Sequence, residues 1–161
     1  MQNAPFYIAA AIMLILRAAA AAAGDSELLS GRASVIDGDT IQISGRHVRL
    51  FGMDAPELVQ TCEANGRKYR CGEAATHALA DRIHDRPVTC KWQEIEGYDQ
   101  LMAVCTADGE DLGRFMVRAG WAIASRRYPG YVDDELSAKS ARVGLWQGRF
   151  VAPWQWRLGY R

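Results

Sequence analysis

Four side chains in two short stretches have types and spacing that suit chemistry. "VIDGDT" at 35–40 contributes Asp39, and "VRLFGMDAPE" at 48–57 contributes Arg49, Asp54 and Glu57. Clustered carboxylates repel, and such a cluster persists where a cation neutralises it. All-oxygen ligation favours a hard ion, calcium or magnesium, over zinc. Arg49 adds a planar, permanently charged donor whose fork matches phosphate oxygens. A metal, a general base and a phosphate clamp together meet the minimum for hydrolysing a phosphodiester. The competing reading is structural: "DGD" makes a turn and Asp54 caps the segment that follows.

Those side chains need a scaffold that brings two strand ends together. Strands are expected over 32–37, 40–43 and 47–51, with turns at "DGD" and "SGR". A loop from 54 to 71 carries the acids, and "GEAATHALADRIHD" then reads as a helix with Ala75, Leu79 and Ile83 on its apolar face. The strand-like runs "PVTCKW" and "LMAVCT" flank the turn signal "EGYDQ". A helix in "EDLGRFMVRAGWAIAS" ends at Gly120 before a short apolar strand, and "VDDELSAKSARVGLW" forms a last helix, acidic at its start and basic later. The expected class is α+β, mainly β: a five-stranded OB-fold barrel carrying about three helices. The aromatic tail "VAPWQWR" is expected to pack back on the body.

Charge is balanced at 19 Lys+Arg against 19 Asp+Glu, which disfavours a general nucleic-acid packaging protein but leaves room for a local cationic site. Residues 1–24 read as a signal peptide, with an apolar run over 6–16 and an alanine-rich tail; an uncleaved anchor over 6–23 is the competing reading. A linker at 25–30, a domain at 31–150 and a tail at 151–161 complete the organisation. Export to the periplasm or beyond fits the four cysteines. Cys90 and Cys105 are equidistant from a hairpin centre between Gly97 and Tyr98, so they pair across it. Cys62 then pairs with Cys71, and no Cys-x-x-Cys or nearby histidine supports a zinc site instead.

"VIDGDTIQISGRHVRLFGMDAPE" closely resembles the opening motif of staphylococcal-type (thermonuclease-like) nuclease domains. The resemblance continues through "ADGEDLGRFMVRAGWAIAS" to "SARVGLW", covering most of residues 31–150 in order, and the paired cysteines resemble those of exported Gram-negative members. It implies an OB barrel and calcium-dependent hydrolysis of DNA or RNA. One calcium ion would be held by the side chains of Asp39 and Asp54 and the carbonyl of Ala55, which stands where the family usually has threonine. Glu57 would activate the attacking water. Arg49 would be one of two phosphate arginines, Tyr98 a phosphate contact, and Tyr128 a tyrosine near the base.

The chain departs from the resemblance at the second arginine, where "EGYDQ" places Gln100. A glutamine donates a hydrogen bond but brings no charge, and losing one charged donor typically costs about a hundred- to a thousandfold in rate. Arg126, beside Arg127, is the candidate substitute; the bland reading of that pair is a solvated loop. The alternatives to a nuclease are a binding module without turnover and an accessory protein of exopolysaccharide or envelope biosynthesis. No stable protein partner is inferred, and a membrane is a partner only if the leader stays uncleaved. His47, His77 and His84 lack ligand spacing. "GRKYR" at 66–70 reads as a polar loop between two cysteines, and Trp146, Trp154 and Trp156 as packing.

Overall fold

The computed structural model describes residues 28–96 and 100–161, the backbone alone at 94–96 and 100. Alternation builds its central barrel. Ile41, Ile43, Val48 and Leu50 are fully or almost fully buried, while Gln42 and Arg49 between them are not, as expected of strands with one face inward. These residues lie on β2 (Thr40–Ile43) and β3 (Arg46–Leu50), which follow β1 (Leu28–Val35). On β8 (Gln100–Ala107) the inward positions are Leu101, Ala103, Cys105 and Ala107. Small side chains there suit the narrow interior of a small barrel.

The ring closes in the order β1, β2, β3, β8, β7, where β7 is Pro87–Glu96. All contacts around it are antiparallel except β3 with β8, which is parallel with Arg49 opposite Met102. This is a closed five-stranded mixed barrel of the expected OB type. A short strand, β9 (Glu110–Asp111), adds to the far end of β8. Closure leaves no free edge within the ring.

Among the described residues four α-helices surround the barrel, against about three expected: α1 (Cys71–Ile83), α2 (Leu112–Arg118), α3 (Val132–Ala141) and α4 (Pro153–Arg157). Ala75, Leu79 and Ile83 of α1 join Leu112, Met116 and Val117 of α2 in the barrel's core cluster. Asp111 caps α2 by accepting from the Arg114 backbone N–H at 3.1 Å. None of the described helices is long and apolar enough to cross a membrane.

Three local expectations need correction. β1 starts at Leu28 rather than at 32, inside the expected linker, because Leu28 to Arg32 pair with Lys91 to Pro87 of β7. The "polar loop" between Cys62 and Cys71 is a hairpin of β5 (Cys62–Ala64) and β6 (Arg67–Tyr69). Asn65 and Gly66 turn it with φ of 53° and 73°, the left-handed pair that a two-residue hairpin of this hand requires. The tail is partly helical: Pro153 opens α4, where its missing N–H is no loss.

Both disulfides form as expected, Cys62–Cys71 and Cys90–Cys105. Cys90 and Cys105 are register partners, and the β7–β8 pairing shifts by one between Trp92 and Glu94. The hairpin centre at Gly97 and Tyr98 lies outside the described residues.

Candidate active site

The acids gather where β2, β3 and β4 (Met53–Asp54) meet. Asp37 starts the turn by accepting from the Asp39 N–H at 3.0 Å, and the Asp39 carbonyl accepts from the Leu50 N–H at 2.7 Å. Those bonds tie the β1–β2 turn to the end of β3. Thr40 is the register partner of Arg49, so Arg49 emerges beside Asp39, on the opposite face from the buried Val48 and Leu50. Gly52, at φ 80°, reverses the chain before β4. β4 is then held by β10 (Ile123–Ala124), with Ile123 opposite Asp54.

The result is one connected set of charges. A single Arg49 nitrogen, Nη2, donates to Asp39 Oδ2 at 3.1 Å and to Asp54 Oδ1 at 2.8 Å. Asp39 is 6% exposed and also accepts from Thr40 Oγ1 at 2.8 Å and from the Ala55 N–H at 3.2 Å. Burial pushes the Asp39 carboxyl up to about 7, with Arg49 opposing, Asp37 adding to the rise, and the bonds from Thr40 and Ala55 opposing it again. Two carboxylates therefore converge on one cationic nitrogen at a partly buried rim. Among the described residues no group of three or more His, Cys, Asp or Glu side chains could hold a metal ion.

Glu57 sits on the other side of Asp54, and the side chain that joins them was not singled out in the sequence. Arg157, the last residue of α4, donates through Nη1 to Asp54 Oδ1 at 3.0 Å and to Glu57 Oε1 at 2.7 Å, and through Nη2 to Asp54 Oδ2 at 2.9 Å. Burial acts to lower the guanidinium's pKa, but the bonds and charges of Asp54 and Glu57 outweigh it, and Arg157 stays firmly charged. Only its place in a basic, aromatic tail hinted at it.

Two buried polar residues support the set from behind. Gln60, fully buried, donates to the Val151 carbonyl at 2.7 Å and accepts from the Glu57 N–H at 3.3 Å. Gly72 packs so closely beneath that a Cβ there would lie 1.8 Å from the Glu57 carbonyl oxygen. Glu135, also fully buried, accepts from the Ala124 N–H at 2.8 Å and so holds β10, the partner of β4. It also accepts from Arg126 at 2.7 Å and from Lys139. Burial raises the Glu135 carboxyl, but the bonds from Lys139, Ala124 and Arg126 outweigh it and hold it below its ordinary value.

Of the expected site residues, the structure brings together Asp39, Arg49, Asp54, Ala55 and Glu57. Arg126 directs its guanidinium to Glu135, although its side chain borders a pocket of about 270 Å³ that Asp54 also lines. Tyr128 packs on Phe51, ring centroids 4.3 Å apart, and the Arg127 guanidinium lies over the Tyr128 ring, 5.2 Å from its centroid. Gln100 pairs by backbone with His47, and Tyr98 lies outside the described residues. His47, His77 and His84 are exposed and apart from the site.

A closed five-stranded mixed barrel with an acid–arginine rim defines an OB-type domain in class. Over residues 47–148 the chain matches the family described as staphylococcal nuclease homologue, and it belongs to that family. It is 37% identical over 132 residues to a succinoglycan biosynthesis protein ExoI of Rhizobium meliloti, spanning 79% of this chain and 69% of that protein. It is 30% identical to an uncharacterized endonuclease of Escherichia coli O157:H7, spanning 76% of this chain and 80% of the relative. An uncharacterized endonuclease of Haemophilus influenzae is 26% identical, spanning 76% of this chain and 69% of the relative.

Proposed function

We propose that the protein is an exported, calcium-dependent phosphodiesterase that hydrolyses DNA or RNA by attack of water. The observation that carries this reading is the convergence of Asp39, Asp54, Glu57 and Arg49 on one rim, with Arg49 joining Asp39 to Asp54 and Arg157 joining Asp54 to Glu57. The donor set suits a hard cation: its oxygens are carboxylates, held in this structure by Arg49 and Arg157, cations whose place a metal ion would take. Asp39 and Asp54 would hold calcium with the Ala55 carbonyl, and the bound ion would supply Lewis-acid stabilisation of the phosphoryl oxygens. Glu57, 35% exposed by side chain, is open enough to meet a water and take its proton as the oxygen attacks phosphorus. The P–O ester bond on the far side breaks, and its oxygen leaves to be protonated by solvent. Arg49 holds a non-bridging oxygen through this change. The two disulfides support an oxidising compartment, hence export.

The test is hydrolysis of single-stranded DNA by the oxidised protein with calcium and with chelator, beside Glu57→Ala. Calcium-dependent cleavage lost in Glu57→Ala is the expected result. A second reading has specific support: Gln100 lacks the charge of the second family arginine, and a relative is named for succinoglycan biosynthesis. On that reading the domain binds a phosphodiester or acts as an accessory in exopolysaccharide or envelope biosynthesis. Oligonucleotide binding without turnover would select it.

A further inference from the structure

We propose that Arg157, carried by the C-terminal helix, is the second cationic phosphate ligand of this site, standing in for the charge absent at Gln100. The inference rests on the phosphodiester reading above and deepens it. Arg157 lies beyond the 47–148 segment that matches the family.

Geometry is the first ground. Asp54 Oδ1 accepts from Arg49 Nη2 at 2.8 Å and from Arg157 Nη1 at 3.0 Å. Two guanidinium groups therefore flank a single oxygen, an arrangement able to grip two oxygens of one phosphoryl group once Asp54 turns to a cation.

Anchorage is the second. Contacts besides the ion pairs place α4: Pro153 is buried, and the Val151 carbonyl just ahead of the helix is held by Gln60. Arg157 thus remains poised beside Glu57 when Asp54 engages another partner. Trp154, on the same helix, walls the pocket of about 270 Å³ next to Asp54, leaving room for a group esterified to the phosphate.

Charge is the third. Asp37, whose Oδ1 accepts from the Asp39 N–H, adds a fourth carboxylate to Asp39, Asp54 and Glu57, so Arg49 and a divalent cation alone would leave the rim negative toward an anionic diester. Arg157 supplies the charge that brings it to neutrality.

The test uses the full oxidised protein and its Arg157→Ala and Arg157→Lys variants, folded by circular dichroism. Cleavage of single-stranded DNA in calcium is measured beside binding of a short phosphorothioate-linked oligothymidylate. We expect Arg157→Ala to lower kcat/KM about a hundred- to a thousandfold and to weaken binding of the probe about tenfold or more. Arg157→Lys, which keeps charge without the fork, falls between. Cleavage and binding by Arg157→Ala equal to or better than wild type would overturn the assignment and make Arg157 a clamp on Asp54 only. A wild type that binds but never cleaves, with binding weakened in Arg157→Ala, would remove the hydrolase reading and leave Arg157 as a phosphate ligand. A wild type that does not bind the probe would overturn the assignment itself.

Discussion

Gln60 donates to the Val151 carbonyl at 2.7 Å across 91 residues of sequence, and the same side chain accepts from the Glu57 N–H. One amide therefore fixes both the general-base candidate and the segment leading to Arg157. Gln60→Leu keeps the volume and removes both bonds. Leaving the buried carbonyl and N–H unpartnered costs about 1–3 kcal/mol each. The expected outcome is a clearly lowered Tm and faster proteolysis after residue 150; an unchanged Tm and unchanged proteolysis would show that the two segments are held independently.

Glu135 is the corresponding support behind Asp54. Glu135→Leu strands the buried Ala124 N–H, while Arg126 and Lys139 keep access to water, so the cost is about 1–3 kcal/mol. The pH dependence has a definite sign. Because the folded carboxyl titrates below its ordinary value, its contribution is present above about pH 4.5, the model-peptide range, and is lost as pH falls through the lower folded value. Urea melts of wild type and Glu135→Gln should differ most near neutrality and converge in acid. A gap that stays constant down to about pH 3 would refute that account.

Asp39 titrates the other way. With its carboxyl pushed up to about 7, the stability linked to it in the cation-free protein is full below its ordinary value of 3.8 and declines as pH rises through 7. If Asp39 is a calcium ligand as proposed, the ion takes its ionised form, and the gain in Tm on adding calcium should be small near pH 5 and grow through 7 toward 8. Asp39→Asn should flatten that dependence. A calcium-induced gain equal at both ends of the range would separate Asp39 from the ion.

Gln100 and Arg157 should show coupling if they answer for the same charge. Gln100→Arg is expected to raise the cleavage rate, and to raise it more in an Arg157→Ala background than in wild type. A double-mutant cycle on kcat/KM measures the difference, and strict additivity would place the two positions at unrelated tasks.

Much of this architecture was legible because its signals are local. Alternation over 40–43 and 47–51 marks two barrel strands, and the mirror spacing of Cys90 and Cys105 marks their hairpin and its disulfide. The acids and Arg49 come from one short stretch whose turns are written in Gly38 and Gly52. The Asn65-Gly66 turn is equally local, but its flanks "CEA" and "RKY" are too short and polar for alternation to mark them as strands. What stayed hidden depends on distance. The first residues of β1 form a strand only through β7, and Glu135 looks like an ordinary acid in the first turn of a helix until the fold buries it. Arg157 sits in a helix of five residues, too short for periodicity to announce, and its partners lie 103 and 100 residues away.

That same placement gives the site a history within each molecule. A chain is made from its N-terminal end, so the barrel strands, both cysteine pairs, Asp39, Arg49, Asp54 and Glu57 all exist before Arg157 is synthesised. A shortened product ending anywhere in residues 149–156 would carry the whole ring of five strands yet lack one of the two guanidinium groups at Asp54. Synthesis through Arg157 is thus a condition on the charge of the site.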